Sequence, residues 1–206
     1  MDDEIKKYYD TSAQMIADEW YGNNILLPTI KDFLSLLPQK PKVLDLGCGP
    51  GYESMRIESL GAEVVGIDFS PENVRIARER CPQCTFYEMD FRVLDDRLGI
   101  FDGMFSSASL IHITPIELPN IARKLTEILR TNGILLTLVQ DGNGTRERYF
   151  EVQGKQMHWW ITLYSKEKLR DLLRPFVFLR EGILDHELLA QGWRCYLWQL
   201  KKMTNA

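Results

Sequence analysis

Apolar positions change their spacing along this chain. Over residues 4–21, Ile5, Tyr8, Tyr9, Ser12, Met15, Ile16 and Trp20 recur at helical intervals, and Gly22-Asn23-Asn24 breaks the run. A second predicted helix carries Leu26, Ile30, Phe33, Leu34 and Leu37 and stops at Pro38. From residue 43 the pattern becomes short apolar runs alternating with helical stretches. Val43–Leu46, Val64–Asp68, Cys84–Met89, Phe101–Ser107 and Ile134–Val139 read as strands. Between them lie a helix from Tyr52 to Leu60, one capped by Ser70 with Pro71 and Glu72 in its first turn, and one opened by the capping box Thr114–Glu117. This last helix is expected to carry Leu118, Ile121, Leu125, Ile128 and Leu129 on one face and to end at Asn132-Gly133. Such alternation implies a parallel sheet covered by helices on both faces.

Residues 140–164 read as a long connection rich in polar and aromatic groups, whose end, Trp159–Tyr164, could form a short strand. Ser165 caps a helix through Leu173, and Phe176–Leu179 and Arg194–Leu200 complete a set of seven strands. The expected fold is α/β, Rossmann-like and doubly wound, with a mostly parallel seven-stranded sheet. The two leading helices either cover the core or form a lid over the turn after the first strand. One domain is expected over 1–206, with a helical lid at 1–38, a core at 43–140 and an outer segment at 141–206.

Composition narrows the class. The chain has 206 residues, 45% hydrophobic and 26% charged, with a net charge of −4. The pI near 5.5 argues against a dedicated nucleic-acid binder. Met1-Asp2-Asp3-Glu4 lacks an apolar signal core, and no apolar run approaches the ~20 residues of a membrane span. A soluble, reduced, cytoplasmic protein is expected, acting as a monomer or homodimer. Cys81-Pro82-Gln83-Cys84 is a CxxC without a second pair, and the histidines stand apart at 112, 158 and 186, so no metal site is expected.

The candidate chemistry centres on Val43-Leu44-Asp45-Leu46-Gly47-Cys48-Gly49-Pro50-Gly51. Alternating glycines predict a turn whose backbone N–H groups can approach a ligand. Burying Asp45 among apolar neighbours costs several kcal/mol unless it is partnered, which points it towards the strand end. Asp68 and Asp90 end the next two strands, so three acids and a glycine turn converge where open parallel sheets bind ligands. Asp68 lies ~20 residues beyond the turn, where nucleoside-binding folds place the acid that holds the ribose. A dinucleotide fingerprint needs G-x-G-x-x-G, and Tyr52 breaks that spacing. The preceding Asp45 would also repel a pyrophosphate. A ligand with a cationic amino group or sulfonium fits better.

Asp45-Leu46-Gly47-Cys48-Gly49-Pro50-Gly51 resembles the signature of class I S-adenosylmethionine-dependent methyltransferases. The likeness continues through Gly66-Ile67-Asp68-Phe69-Ser70, Met89-Asp90-Phe91, Phe101-Asp102 up to Ser106, and Leu129–Leu135. Small methyltransferase type 11 enzymes, which resemble ubiquinone and menaquinone C-methyltransferases, are the nearest likeness. The resemblance implies S-adenosyl-L-methionine as cofactor, with Gly47, Cys48 and Gly49 beside its methionine moiety and Asp45 placing the amino group. It implies Asp68 on the ribose, Phe69 beside the adenine, Asp90 and the Phe91 amide on the ring, and the Ser106 backbone near the amino-acid end. Tyr9 would stand near the cofactor.

Methyl transfer from a sulfonium needs alignment above all, and a base only where the acceptor loses a proton. His112 is the expected base. Trp20, His112, Tyr149, Trp159, Trp160 and Tyr164 are expected to line an acceptor pocket, with Arg146 and Arg148 available to an anionic acceptor. A small-molecule acceptor is expected from the absence of an appended recognition domain. RNA or protein methylation, a non-catalytic cofactor-binding protein and an NAD-dependent oxidoreductase are the alternatives.

Overall fold

In the computed structural model, which describes residues 3–94, 98–152 and 154–201, the first strands are Lys42–Leu46 (β1), Glu63–Asp68 (β2), Thr85–Glu88 (β3), Phe101–Ser107 (β4) and Leu129–Gln140 (β5). Thr145–Val152 (β6) and Lys155–Thr162 (β7) follow, then Phe176–Glu181 (β8) and Trp193–Leu200 (β9). The seven-stranded sheet runs β3-β2-β1-β4-β5-β9-β8. β1 to β5 pair in parallel, whereas β9 lies antiparallel to both β5 and β8. The sheet therefore has the expected seven strands and is mostly parallel. The chain leaves β1 towards β2 and β3, then returns to place β4 on the other side of β1. The carboxyl ends of β1 and β4 thus form the topological switch point, where such sheets open a crevice.

Helices Asp3–Trp20 (α1), Leu27–Leu34 (α2), Tyr52–Ser59 (α3), Pro71–Arg80 (α4), Leu118–Ile128 (α5), Lys166–Leu172 (α6) and His186–Ala190 (α7) cover both faces. Leu118, Ile121 and Leu125 of α5 and Leu169 of α6 join the core on one face with Leu44, Ile67 and Trp198. Ile30 and Phe33 of α2, Ile57 of α3 and Val74 of α4 fill the other, over Val43, Val64 and Leu136. α2 lies so near the sheet that a Cβ on Gly103 would stand 2.7 Å from Phe33 Cζ. Local chemistry fixes two helix starts as read from the sequence: the Asn73 N–H donates to Ser70 Oγ and the Lys168 N–H donates to Ser165 Oγ. α5 differs, because the hydrogen bonds exchanged by Thr114 and Glu117 close a turn ahead of it and the helix itself starts at Leu118. The predicted lid segment 1–38 is described from Asp3, and residues 1, 2 and 202–206 of the predicted domain lie outside the described residues.

Two further expectations need correction, and one helix was not foreseen. α5 stops at Ile128 instead of running to Asn132-Gly133, because Leu129 pairs with Phe101 across the sheet. The register then jumps from Phe101↔Leu129 to Gly103↔Ile134, and the stop signal becomes an irregularity within β5, with Asn132 at φ 66°. The long connection 140–164 is an antiparallel hairpin, β6-β7, with Gly154 at φ 73° in its turn. Its inner face stacks Phe150 on Trp159 (ring centroids 4.4 Å apart, planes 4° apart), and Trp159 packs in turn on Tyr8 of α1. The short helix α7 has no clear apolar repeat in the sequence.

Candidate functional site

At the switch point a pocket of about 90 Å³ is lined by Gly47, Gly49 and Pro50 after β1, by Ser107 at the end of β4 and by Ala108 and Ser109 after it. Asp68, Phe69 and Asn73 supply the β2 side, Phe91 follows β3, and Tyr9 and Ile16 of α1 close it from above. α1 is held there by specific contacts. The Ser70 hydroxyl donates to Asp10 Oδ1 at 2.5 Å, the Tyr21 hydroxyl donates to the Pro50 carbonyl at 2.8 Å, and Tyr9 meets Phe69 edge to face.

The glycine turn corrects one expectation. Its N–H groups are not free for a ligand. Those of Gly47 and Cys48 both donate to the Ile67 carbonyl, that of Gly49 donates to Asp68 Oδ2 at 2.9 Å, and that of Gly51 donates to the Cys48 carbonyl. What the glycines supply is space. Gly47 has φ 72°, and a Cβ there would lie 2.5 Å from Ser109 Cβ, whereas a Cβ on Gly49, at φ 54°, would meet nothing within 4 Å. With the amides of the glycine turn consumed and no lysine or arginine among its described lining residues, the pocket lacks the positive charge that favours a phosphate. Asp68 makes it acidic.

Asp68 is also a structural fastener. Besides Gly49, its carboxylate accepts from the Ser70 N–H at 2.9 Å and from Asn73 Nδ2 at 3.2 Å. Burial nevertheless raises its pKa, these hydrogen bonds only partly offsetting the loss of water. Two lining residues keep buried polar atoms without a hydrogen-bond partner, Asn73 Oδ1 and His112 Nδ1. Tyr9 Oη and His112 Nε2 are 2.9 Å apart. Burial, followed by the Arg92 charge, lowers the His112 pKa to about 4, so its ring is neutral near pH 7.

Other predicted residues stand elsewhere. Asp45 is buried behind the turn, and the Ser54 hydroxyl donates to its Oδ2 at 2.6 Å, the partner that its apolar surroundings demand. Cys48 packs in the core near Gly66. The Asp90 carboxylate accepts from the Arg92 N–H and from Arg92 Nη1, both at 2.9 Å, and is not among the lining residues. Ser106 is fully buried with its hydroxyl 2.7 Å from that of Ser109, and the next three residues line the pocket in its place. The CxxC thiols are buried with their sulfurs 3.1 Å apart and with Cys84 Sγ facing the Ser54 carbonyl.

The expected aromatic acceptor pocket does not assemble as drawn. Tyr149 and Trp160 occupy the outward face of the hairpin, 71% and 56% exposed. Tyr164 is fully buried, its hydroxyl donating to the Ile113 carbonyl at 2.7 Å, and Trp159 is core. The Arg146 guanidinium donates to Gln140 Oε1. Only Trp20 and Arg148 of that set meet, in a second cavity of about 280 Å³ with Ile25, Leu26, Tyr52, Glu53, Leu188 and Trp193. Tyr52, Ser107 and Ala108 line both cavities, so the two adjoin. Glu53, Leu188 and Trp193 had no distinguishing signal in the sequence, since each sits in an ordinary amphipathic context.

Burial raises the pKa values of Asp45 and Glu53 to about 7 from ordinary carboxyl values. Both groups bind protons in the folded state that they release in the unfolded state, so their contribution to stability falls as pH rises towards 7. His112 opposes them, losing stability as pH falls from 6.5 to about 4. The carboxyls lowered by partners, Asp18, Asp32, Glu72 and Glu117, complete their titration below this range. Asp68 is raised as well, and with three raised acids against one base the ligand-free protein should unfold at lower urea concentration at pH 7.5 than at pH 5.5. Glu53→Gln should flatten that slope, and an opposite slope would place these acids in solvated surroundings.

The chain is similar to known proteins in sequence and in fold. Residues 43–133 match the model of a family described as "Methyltransferase domain". The chain is 29% identical over 202 residues to the mitochondrial ubiquinone biosynthesis O-methyltransferase of Mus musculus, covering 79% of this chain and 53% of that protein. It is 37% identical over 90 residues to the magnesium-protoporphyrin O-methyltransferase of Rhodobacter capsulatus, covering 42% and 39%. The chain thus spans about half the length, or less, of these curated relatives. In fold it is similar to the magnesium protoporphyrin IX methyltransferase of Synechocystis PCC 6803, solved with S-adenosylmethionine bound, at a TM-score of 0.70 and 19% identity over 98% of each chain.

Proposed function

We propose that this chain is a class I S-adenosylmethionine-dependent methyltransferase, which transfers a methyl group from S-adenosyl-L-methionine to a small-molecule acceptor. The observation that carries this reading is the combination of an acidic pocket and a glycine turn with no free N–H. A pyrophosphate needs donors and positive charge, whereas a sulfonium with an α-amino group needs the reverse. Asn73 Oδ1, buried without a partner, is an acceptor suited to a nucleoside hydroxyl or amine, and the open space at Gly49 would take the methionine chain. The residues present therefore fit the cofactor.

When bound, S-adenosylmethionine supplies a methyl group already activated by its positively charged sulfur. The residues proposed to hold it are Tyr9, Gly47, Gly49, Asp68, Phe69 and Phe91, with Asn73 and Ser107–Ser109 added to the expected set. Asp68 would serve the ribose while keeping the turn in place, and Phe69 and Phe91 would flank the base. Asp45 and Cys48 act from behind the turn, Asp45 through Ser54. Asp90 acts through Arg92, whose guanidinium also donates to Glu117 and to the His112 carbonyl. His112 is read as a wall of the cofactor pocket rather than the general base, because a neutral ring with a pKa of about 4 accepts protons poorly. α1 is read as the lid, and residues 1–206 as one domain.

No helix among the described residues is long and apolar enough to cross a membrane. Titration calorimetry tests the reading directly. S-adenosylmethionine and S-adenosylhomocysteine should bind in the micromolar range and NAD should not bind. Binding of NAD alone would replace this reading with an oxidoreductase.

A further inference from the structure

The second cavity holds a charge pair that the cofactor reading does not use. Glu53 is only 5% exposed, lines this cavity, and keeps Oε2 without a hydrogen-bond partner. Arg56 Nη1 lies 3.6 Å away, but its guanidinium is already committed to the carbonyls of Trp20, Tyr21 and Tyr52 and to Asn24. Oε2 of this buried acid thus has the Arg56 charge beside it but no hydrogen-bond donor, a state that costs stability unless a ligand completes it. Across the cavity Arg148 projects from the inner face of the hairpin, where Trp159 is its cross-strand partner. Among the described residues its side chain makes no hydrogen bond or ion pair.

The remaining walls are mostly aromatic and aliphatic, with Ser107 and Gln191 as the polar exceptions. Trp20 stacks on Tyr52 with centroids 5.9 Å apart and planes 25° apart, and Trp193, Leu26, Leu138 and Leu188 complete them. A cavity of roughly 150 Å³ takes one benzene ring. About 280 Å³ therefore leaves room for a ring with substituents. Flat apolar walls select a planar body, a buried carboxylate oxygen without a hydrogen-bond partner selects a donor, and a free guanidinium selects an anion.

We propose that the methyl acceptor is a planar aromatic compound bearing a hydroxyl and an anionic substituent, seated in this second cavity with its hydroxyl on Glu53 and its anion on Arg148. This rests on the methyltransferase reading, since the cavity matters only if it adjoins a bound cofactor. Glu53 takes the hydroxyl proton: the acceptor O–H bond breaks, an O–H bond forms at the Glu53 carboxylate, and the electron pair stays on the acceptor oxygen as nucleophile. A carboxyl whose pKa is raised to about 7 by burial is a stronger base than an ordinary glutamate and is still partly ionised at neutral pH. Tyr52, Ser107 and Ala108, common to both cavities, form the boundary at which acceptor and cofactor meet.

The test uses the full chain and its Glu53→Gln and Arg148→Met variants. Each is first titrated with S-adenosylhomocysteine alone, which should bind all three within about threefold and serves as the check of folding. Each loaded protein is then titrated with 4-hydroxybenzoate, 3,4-dihydroxybenzoate and 3,4-dimethoxybenzoate. At least one hydroxybenzoate should bind the parent chain more tightly than about 1 mM, and the dimethoxy compound should bind at least about tenfold more weakly. Arg148→Met should weaken binding about tenfold or more. Glu53→Gln should bind within about threefold of the parent yet release S-adenosylhomocysteine from S-adenosylmethionine at least about 100-fold more slowly, the usual lower bound for a lost general base. If S-adenosylhomocysteine binds and no hydroxybenzoate does, or if both variants behave as the parent, the acceptor assignment is overturned. If S-adenosylhomocysteine itself fails to bind the parent chain, the cofactor reading falls, and the acceptor site with it.

Discussion

Asp68→Ala should lower the free energy of unfolding by about 3–5 kcal/mol and weaken S-adenosylhomocysteine binding at least about 100-fold. The carboxylate gathers the Gly49 and Ser70 N–H groups and Asn73 Nδ2, donors from the turn after β1, the loop into α4 and α4 itself. Each donor left buried and unpaired costs about 1–3 kcal/mol, and the relieved burial of the acid returns part of that sum. The Gly49 amide is the sensitive one, because it shapes the turn that lines the pocket. Asp68→Asn keeps the side-chain volume but places an amide N–H₂ against donors, and should fall between alanine and the parent. Urea unfolding and calorimetry measure the two effects separately. A stability loss below about 1 kcal/mol would mean that water or a neighbouring acceptor replaces the carboxylate, leaving Asp68 as a ligand contact only.

Gly49→Ala should separate ligand space from fold. At φ 54° an alanine costs about 1–2 kcal/mol of backbone strain, and its Cβ meets no protein atom within 4 Å. Stability should therefore fall modestly, while the methyl group enters the pocket and reduces S-adenosylhomocysteine affinity at least about 100-fold. Gly47→Ala is the contrasting case. Its Cβ would stand 2.5 Å from Ser109 Cβ, so Ser109 must move and its contact with the Ser106 hydroxyl is disturbed, which makes the main loss one of stability. Gly49→Ala binding within about threefold of the parent would remove Gly49 from the cofactor's contacts.

These two residues also mark what a linear reading recovers. Strands β1 to β5 and their order of use follow from apolar runs bounded by glycine and by caps, because each such signal acts within a few residues. The pairing of Leu129 with Phe101 is not local, and it overrides the stop signal at Asn132-Gly133 that would otherwise end α5. The hairpin was hidden because its inner face is defined by packing on Tyr8, far away in the sequence. At the site, the sequence indicates which acids end the strands but not which groups they face. Asp68 reaches the pocket, Asp45 turns back to Ser54, and Asp90 is taken by Arg92. The turn's amides illustrate the same limit. Their spacing predicts exposure, and the neighbouring Ile67 carbonyl and Asp68 carboxylate consume them. Glu53 is legible only as a helical acid until the cavity beside it is seen.

The position of β9 bears on how the chain reaches this state. β9 is the last of the described strands in sequence, yet it lies inside the sheet, between β5 and β8. During synthesis the other described strands of the sheet are made before it. Until residues 193–200 emerge, β5 keeps an open edge with Leu135, Leu136 and Leu138 beside it, and β8 has no neighbour in the sheet. An unpaired apolar edge is a template for pairing with another chain. The nascent protein is therefore most exposed to self-association just before its final strand arrives, and the indole of Trp198, donating to Thr137 Oγ1 at 3.0 Å, closes the sheet at a late step.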